Sequence, residues 1–299
     1  MDQPLVSILC GCYNQSKFIL ESLVSINNQT YKNYEIIIWD DASTDNSVNI
    51  IENWIAKNTD KAITFIKHEK NVGICKSLNE CFNVSKGKYI QMLALDDVLL
   101  PHKLEKHVEM LENSSKKDAL VFSDAYLIDD SSTSYQNNFI SFHYHYLSLK
   151  SGNYFDKLVR RNFIPAMSVL LKREVIGDVG YWDENLNFED HDMWLRIAKK
   201  YDFLFDEKIS VKYRMHENNS HKKIDFVKPI FYLLSKHLDK IIVQKKLHLY
   251  LQEKYMVSEL TDEQIIFFKH VQPNGLRDKL IKLNKGKFFY RVLYKLGIK

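Results

Sequence analysis

The stretch Lys88-Tyr89-Ile90-Gln91-Met92-Leu93-Ala94-Leu95-Asp96-Asp97 decides the reading of this chain. Its first residues form the apolar run of a buried strand, and that strand dies into two adjacent carboxylates. Like charges side by side repel, and each must be hydrated or paired. Such a pair suits a hard divalent cation held through one or two carboxylates, with phosphate oxygens completing its shell.

Working upstream, strands and helices alternate. Leu5–Cys10 is an apolar strand. Ser16 to Asn28 has helical spacing, with Phe18, Ile19, Leu23 and Ile26 on one side. Glu35–Trp39 is a second strand, β-branched at Ile36-Ile37-Ile38. Ser47–Lys57 reads as a helix capped from the Ser43-Thr44-Asp45 stretch. Ile63–Ile66 is a third strand, and Ile74–Val84 a helix that Gly87 helps to end. Downstream, Pro101 opens a helix through Leu111. This alternation predicts an α/β fold with a mostly parallel central sheet covered on both faces by helices. Ligands of such sheets sit outside the carboxyl ends of the strands. Three polar clusters fall there: Cys12-Tyr13-Asn14, Asp40-Asp41 and Asp96-Asp97.

Beyond Leu111 the character changes. Leu120–Ser123, Tyr126–Ile128, Met167–Lys172 and Ser210–Arg214 read as strands, Tyr154–Arg161 and Asp190–Lys200 as helices. Ser131–His145 is polar and aromatic without periodicity and is expected as a mobile loop. From Asp225 the pattern is helical, with a break at Pro273-Asn274-Gly275. The expected organisation is an α/β domain over 1–222, with halves at about 1–111 and 112–222, and a C-terminal helical extension over 223–299.

The 299 residues suffice for such a plan, and 45% hydrophobic and 27% charged residues are ordinary for a soluble globular protein. No CxxC pair joins Cys10, Cys12, Cys75 and Cys81, which disfavours zinc. With no leader-like N-terminus, reduced thiols in a cytoplasmic protein are the expectation. No apolar run of about 20 residues spans a membrane. Residues 225–299 carry fifteen Lys or Arg against seven Asp or Glu, a local charge of +8; the net charge is +4, so the front is acidic at −4. No GxGxxG follows the first strand and no GxxxxGK[ST] occurs, so carboxylates and a metal, not a glycine loop, must hold any phosphates.

These residues carry a resemblance. Val6-Ser7-Ile8-Leu9-Cys10-Gly11-Cys12-Tyr13-Asn14, Asn28-Gln29-Thr30-Tyr31 and Trp39-Asp40-Asp41-Ala42-Ser43-Thr44-Asp45 resemble the opening of glycosyltransferase family 2. Asn71-Val72-Gly73, Lys86-Gly87-Lys88-Tyr89-Ile90, Asp96-Asp97, Glu189-Asp190-His191-Asp192-Met193-Trp194-Leu195-Arg196 and Tyr213-Arg214-Met215-His216 follow in the family's order. The resemblance covers roughly residues 5–220 and rests on joint order and spacing. It implies a GT-A fold, a nucleotide-sugar donor, a divalent Mn2+ or Mg2+ ion, and inverting transfer in bacterial surface-polysaccharide synthesis of the capsule or lipopolysaccharide kind. Residues 1–111 become the nucleotide-binding half and 112–222 the acceptor and catalytic half.

By the same resemblance, Tyr13 lies against the nucleobase, with Asn14 and Asp45 on the donor side. Asp41 accepts a hydrogen bond from the base, which suits the N3–H of uracil and hence a UDP-sugar. Tyr13 as a core aromatic, Asp41 in a turn and Asp45 as a helix cap are the plain alternatives. Asp97 is the direct metal ligand, with Asp96 nearer the ribose or the metal's waters and His216 at the metal or diphosphate. Asp190 is the catalytic base, taking the proton of an acceptor hydroxyl. Glu189 is an acceptor-side candidate, and either acid also fits the helix dipole. Trp182 either faces a sugar or belongs to the core. His143 and His145 suit an aromatic acceptor surface or loop packing better than a metal. Two departures stand out: Ala94 replaces a further motif aspartate, and Leu78 replaces a motif arginine, with Lys76 the candidate to take over its contact.

The tail from Lys269 to Lys299 holds nine basic residues and one acidic, Asp278. Phe288, Phe289, Val292, Leu293 and Leu296 form an apolar stripe beside Lys287, Arg291 and Lys295. That pattern in 276–299 suits either an interfacial helix on an anionic leaflet, serving a glycan or polyprenyl-linked acceptor, or a helix packed on its own domain. Nucleic acid is disfavoured, since no recognition module accompanies the basic cluster. Two other readings compete with sugar transfer. A sugar-phosphate nucleotidyltransferase would normally carry a glycine-rich basic loop, where this chain has only Gly11 and Lys17. A non-catalytic assembly subunit draws support from Ala94 alone.

Overall fold

The first strand, β1 (Val6–Cys12), is buried on both faces, as its mainly apolar sequence requires of a strand with helices above and below. A computed structural model describes residues 3–144, 149–217, 219, 227–257, 260–262, 264–266, 279, 281 and 287–296. In it the chain divides into two compact units, Met1–Ile224 and Asp225–Lys299.

In the first unit β1 pairs in parallel with β2 (Tyr34–Asp40) on one side and β4 (Tyr89–Ala94) on the other; β3 (Ile63–Lys67) continues in parallel outside β2. The register is what matters for function. Cys12 stands opposite Asp40, Gly11 opposite Ala94, and Asp40 opposite Lys67. The carboxyl ends of four strands therefore finish on one edge. Helices α1 (Ile19–Asn27), α2 (Ser47–Ala56) and α3 (Ile74–Val84) connect them. Leu23, Ile26, Ile51 and Trp54 of these helices join Ile8, Cys10, Ile36 and Ile38 in the core.

The expected mostly parallel sheet is parallel in this half and mixed beyond it. β8 (Leu170–Lys172) runs antiparallel to β4, and β6 (Asp118–Ile128) antiparallel to β8. β9 (Asp202–Arg214) pairs in parallel with β6, and the short β5 (Val98–Leu99) antiparallel with β9. Helices α4 (Lys103–Glu112), α6 (Phe155–Arg160), α7 (Arg173–Val179) and α8 (Asp190–Ala198) complete the layers.

Several expectations need correction here. The two short strands around Ser123 and Tyr126 are one strand. Its register slips between Ser123 and Ala125, opposite the stretch from Asp206 to Val211. Glu207 and Lys208 interrupt the apolar pattern there, which hid the first part of β9 from periodicity. The hydroxyls of Ser123 and Ser210 meet at 2.6 Å across the slip. The expected mobile loop contains a hairpin strand, β7 (Ser134–Asn138), and a short helix, α5 (Phe139–His143). Asp129 turns the chain by accepting the N–H groups of Ser131 and Thr133, and Asn138 with Ser141 forms a capping box. These are local polar signals, which periodicity does not read. Residues Met167–Lys172 begin as a 3-10 turn, Ala166–Ser168, before β8. Asn46 is the residue preceding α2, while Asp45 accepts the Ser47 N–H from one position further out.

In the second unit, α9 (Val227–Ser235), α10 (Ile241–Val257) and α11 (Lys287–Lys295) are helical. Tyr290 of α11 is buried edge-on against Tyr255 of α10, and its hydroxyl donates to the Gln252 carbonyl. Val292 and Leu296 of the expected apolar stripe are exposed. The side chains of Phe288, Phe289 and Leu293, the break at Pro273-Asn274-Gly275, and His145 lie outside the described residues. Among the described residues no helix is long and apolar enough to cross a membrane.

Gly87 does not cap α3, whose last turn ends at an extended Ser85. It is required by close approach instead. Its N–H donates to the Ser7 hydroxyl at 2.7 Å, and a Cβ there would lie 2.4 Å from the Ser7 nitrogen. Gly87→Ala is expected to force β1 and β4 apart at their entry and to cost about 2 kcal/mol, as overpacking does. Urea denaturation followed by circular dichroism measures it; an unchanged midpoint would refute the packing argument.

Candidate active site

The aligned strand ends deliver their polar residues to one edge. Two backbone bonds lock the alignment: the Asp41 N–H donates to the Cys12 carbonyl at 2.9 Å, and the Leu95 N–H to the Gly11 carbonyl at 2.8 Å. Tyr13, just past β1, is 50% exposed, so the ring is presented rather than buried in the core. Asn14 adopts a left-handed φ of 54°. That turn points its side chain at the loop after β2, where Oδ1 accepts the N–H of Thr44 at 2.8 Å and of Asp45 at 3.3 Å. Asn14 thus braces the loop after β2. Asp45 accepts N–H bonds from Ser47 and Ser16. Burial raises its carboxyl, but those bonds outweigh burial and hold it below the usual range. Its observed partners are those of the helix-start alternative.

Asp41 is buried. Its Oδ1 accepts the Val72 N–H at 2.8 Å and faces His68 Nδ1 at 3.0 Å, and its Oδ2 accepts the Gly73 N–H at 3.1 Å. The Asn71-Val72-Gly73 turn therefore works as a backbone anion cradle, opened by Gly73 at φ 88°. His68 Nε2 in turn meets Glu80 Oε2 at 2.8 Å. Neither His68 nor Glu80 was found by sequence reasoning; the signal was a histidine one residue past β3, the strand beside Asp40.

Asp96 and Asp97 follow β4 and are both buried. Asp96 Oδ2 pairs with His216 Nε2 at 2.9 Å, and Asp97 Oδ1 accepts the Arg214 N–H at 2.9 Å. Burial pushes the Asp97 carboxyl well up, the Asp96 charge adds to that, and Arg214 opposes it. Arg214, 1% exposed, ties the site together. Its Nε donates to the Asp96 carbonyl at 2.8 Å, one Nη to the Asp129 carbonyl at 2.8 Å, and the other to Glu21 Oε2 at 2.5 Å. The guanidinium also stacks 4.7 Å from the Phe18 ring, which packs on His216. Sequence reasoning quoted Arg214 within its motif but gave it no role.

Asp190 opens α8. Its Oδ2 accepts Asn162 Nδ2 at 2.6 Å and its Oδ1 the His191 N–H at 2.6 Å. Burial raises its carboxyl above the usual range, against the pull of His191 and Asn162. Burial and the Asp190 charge raise Glu189 as well. Burial raises the Tyr213 hydroxyl first, and the charges of Asp97, Asp96, Asp190 and Glu189 add to that. Phe139 packs on Tyr213 at 5.3 Å and on His143 at 4.8 Å, which places His143 in an aromatic cluster. Trp182 is not brought to the site. It is 3% exposed, packed on Phe82 and held by Asn79 through backbone bonds, so the core alternative describes it. Leu78 is also core, and Lys76 is exposed on α3.

Among the described residues, no three His, Cys, Asp or Glu side chains are arranged to hold a metal by themselves. Asp97 and Asp96 with His216 nevertheless fit a hard cation chemically. Two buried neighbouring carboxyls, one pushed well up by burial and by its neighbour's charge, are what a divalent ion would offset.

A mixed α/β sheet of this order, with carboxylates rather than a glycine loop gathered at its strand ends, is the GT-A fold of nucleotide-sugar transferases. The chain belongs to Glycosyl transferase family 2, whose model matches residues 7–179. It is 34% identical over 229 residues to an uncharacterized glycosyltransferase of Methanocaldococcus jannaschii, covering 74% of each protein. It is 31% identical over 228 residues to one from Rickettsia felis, covering 74% of this chain and 36% of that one, so the chain spans about a third of that relative's length. In structure it resembles S. aureus TarS 1-349 in complex with UDP-GlcNAc, with a TM-score of 0.66 at 15% identity over 98% of this chain and 92% of that one. It also resembles the mannosyltransferase PcManGT of Pyrobaculum calidifontis, in complex with GDP-Man and Mn2+, with a TM-score of 0.64 at 15% identity over 99% and 88%.

Arg214→Met should remove five donors from a buried site while keeping the aliphatic stem. The expected cost is about 3 kcal/mol, because the Asp96 and Asp129 carbonyls lose their partner inside the fold. Guanidinium unfolding checks it, and a loss under about 0.5 kcal/mol would remove Arg214 from this role.

Proposed function

We propose that this family 2 enzyme is an inverting glycosyltransferase that moves a sugar from a nucleoside diphosphate to a hydroxyl of a glycan or lipid-linked saccharide. The observation that carries it is the buried Asp96-Asp97 pair after β4, held by His216 and the Arg214 N–H, in a chain of family 2. Asp97 is the carboxylate suited to a cation at the donor diphosphate, and Asp190 the one suited to a proton from the acceptor. Tyr13 lies against the base and Asp41 accepts from it. A UDP-sugar is the donor favoured here, while neighbours of this fold bind UDP-GlcNAc and GDP-Man.

Asp97 and His216, with Asp96, would hold Mn2+ or Mg2+, which supplies positive charge against the departing diphosphate. Arg214 fixes Asp97 through its backbone N–H and Asp96 through its carbonyl. Asp190 takes the acceptor proton at the oxygen not directed by Asn162, or at its second lone pair there, as the new bond forms. A carboxylate raised above its ordinary value is the stronger base for this. One displacement on the face opposite the diphosphate gives inversion. Glu189 stands beside Asp190 on the acceptor side.

The assignment to cell-surface polysaccharide synthesis, in the capsule or lipopolysaccharide manner, remains part of the proposal. So does peripheral contact with the inner membrane face from the cytoplasm. Exposed Val292, Tyr294 and Leu296 beside Arg291 and Lys295 support such contact with an anionic leaflet.

Donor hydrolysis with Mn2+ tests the site. Asp190→Asn and Asp97→Asn should each lower turnover about 100-fold or more, and a chelator should abolish it. Wild-type rates in either variant would overturn that residue's role. The pH dependence follows from sign. A base works deprotonated, and Asp190 is raised; the rate should therefore fall as pH drops, with the acid limb of kcat/KM above the ordinary carboxylate value of about 4. A limb at or below that value would contradict the assignment.

A further inference from the structure

A carboxylate offers about four acceptor positions, two on each oxygen. On Asp41 three are taken among the described residues: Oδ1 by Val72 N–H and His68 Nδ1, Oδ2 by Gly73 N–H. One remains, on Oδ2. The occupancy of Oδ1 is enforced from outside. His68 follows β3, its own N–H donates to the Asp40 carbonyl at 3.0 Å, and its far nitrogen is held by Glu80 at 2.8 Å. His68 is therefore held at three points, its backbone by Asp40 and its ring by Asp41 and Glu80, and this sets the plane of the Asp41 carboxylate.

We propose that His68, backed by Glu80, is a specificity-determining positioning residue that leaves Asp41 a single acceptor and so selects uracil over guanine in the donor. This rests on the reading that Asp41 meets the base. Uracil presents one ring donor, N3–H, between two carbonyl oxygens. Guanine presents N1–H beside an exocyclic N–H, two parallel donors that match a carboxylate only when both oxygens are open. With Oδ1 filled by His68 and Val72, guanine would bury one donor unpaired, which is the strongest form of discrimination a polar site has. The fold itself leaves the base open; the brace closes the choice.

Isothermal titration of the full chain with UDP and with GDP, in Mn2+ buffer, tests this. The wild type should bind UDP about tenfold or more tighter than GDP, the loss expected for one unpaired buried donor. His68→Ala should weaken UDP by about 5- to 20-fold and change GDP by less than about twofold, so that the preference collapses. His68→Asn places an amide N–H where Nδ1 stood and should recover UDP affinity to within about threefold of wild type. The KM for a UDP-sugar should rise in His68→Ala while kcat holds. An unchanged UDP-to-GDP ratio, an equal loss of both nucleotides, or Asn no better than Ala would overturn the proposal; the second result would mark His68 as merely structural. If the wild type binds neither nucleotide, or Asp41→Asn leaves UDP affinity unaltered, the reading of Asp41 as the base contact falls first and takes this inference with it.

Discussion

The parallel register of β1 with its two neighbours is the constraint on which the site depends. A slip of one residue along any of these strands would turn buried side chains to the opposite face. Both faces are covered, so burial alone penalises a slip weakly. The polar contacts at the two ends do the pinning. At the entry, Gly87 lies against Ser7 with no room for a side chain. At the exit, Asp41 and Leu95 bond across to β1. Three strand ends thus finish level, and the residues after them share one edge.

The segments beyond these strand ends are held by polar groups of neighbouring elements. Asn14 shapes the loop after β2, His68 and the Val72-Gly73 turn hold Asp41, and Asn162 directs Asp190. Arg214 does the same for the aspartate pair. Catalysis of this kind needs groups set to a fraction of an ångström, and side chains on loops reach that only when their own partners are fixed. The raised carboxyls of Asp97 and Asp190 are a product of the same enclosure.

Much of the first half was legible because its apolar strands and amphipathic helices announce themselves, and its polar clusters sit where strands stop. Ile74–Val84 has the bounds that its periodicity indicates. The later half was less legible. β9 is interrupted by Glu207-Lys208, and β7 and α5 are set by an aspartate turn and a capping box instead of an apolar repeat. Asp41, Asp96, Asp97 and His216 could be picked out as carboxylates and an imidazole at strand ends. His68, one residue past β3, carried the same kind of signal and was passed over; Glu80 and Asn162 carried none, since their meaning lies in contacts made across separate elements. Trp182 shows the converse, an aromatic whose composition fits a sugar and whose packing is core.

The Glu21–Arg214 contact joins residues 193 positions apart. A ribosome releases this chain from one end, and α1 is made long before β9. The aspartate pair therefore waits for its guanidinium and its histidine, 117 and 120 positions further on. Fragments ending where the family's shared region ends, at residue 179, lack both. The cluster around Asp96 and Asp97 can therefore close only after β9 has been made.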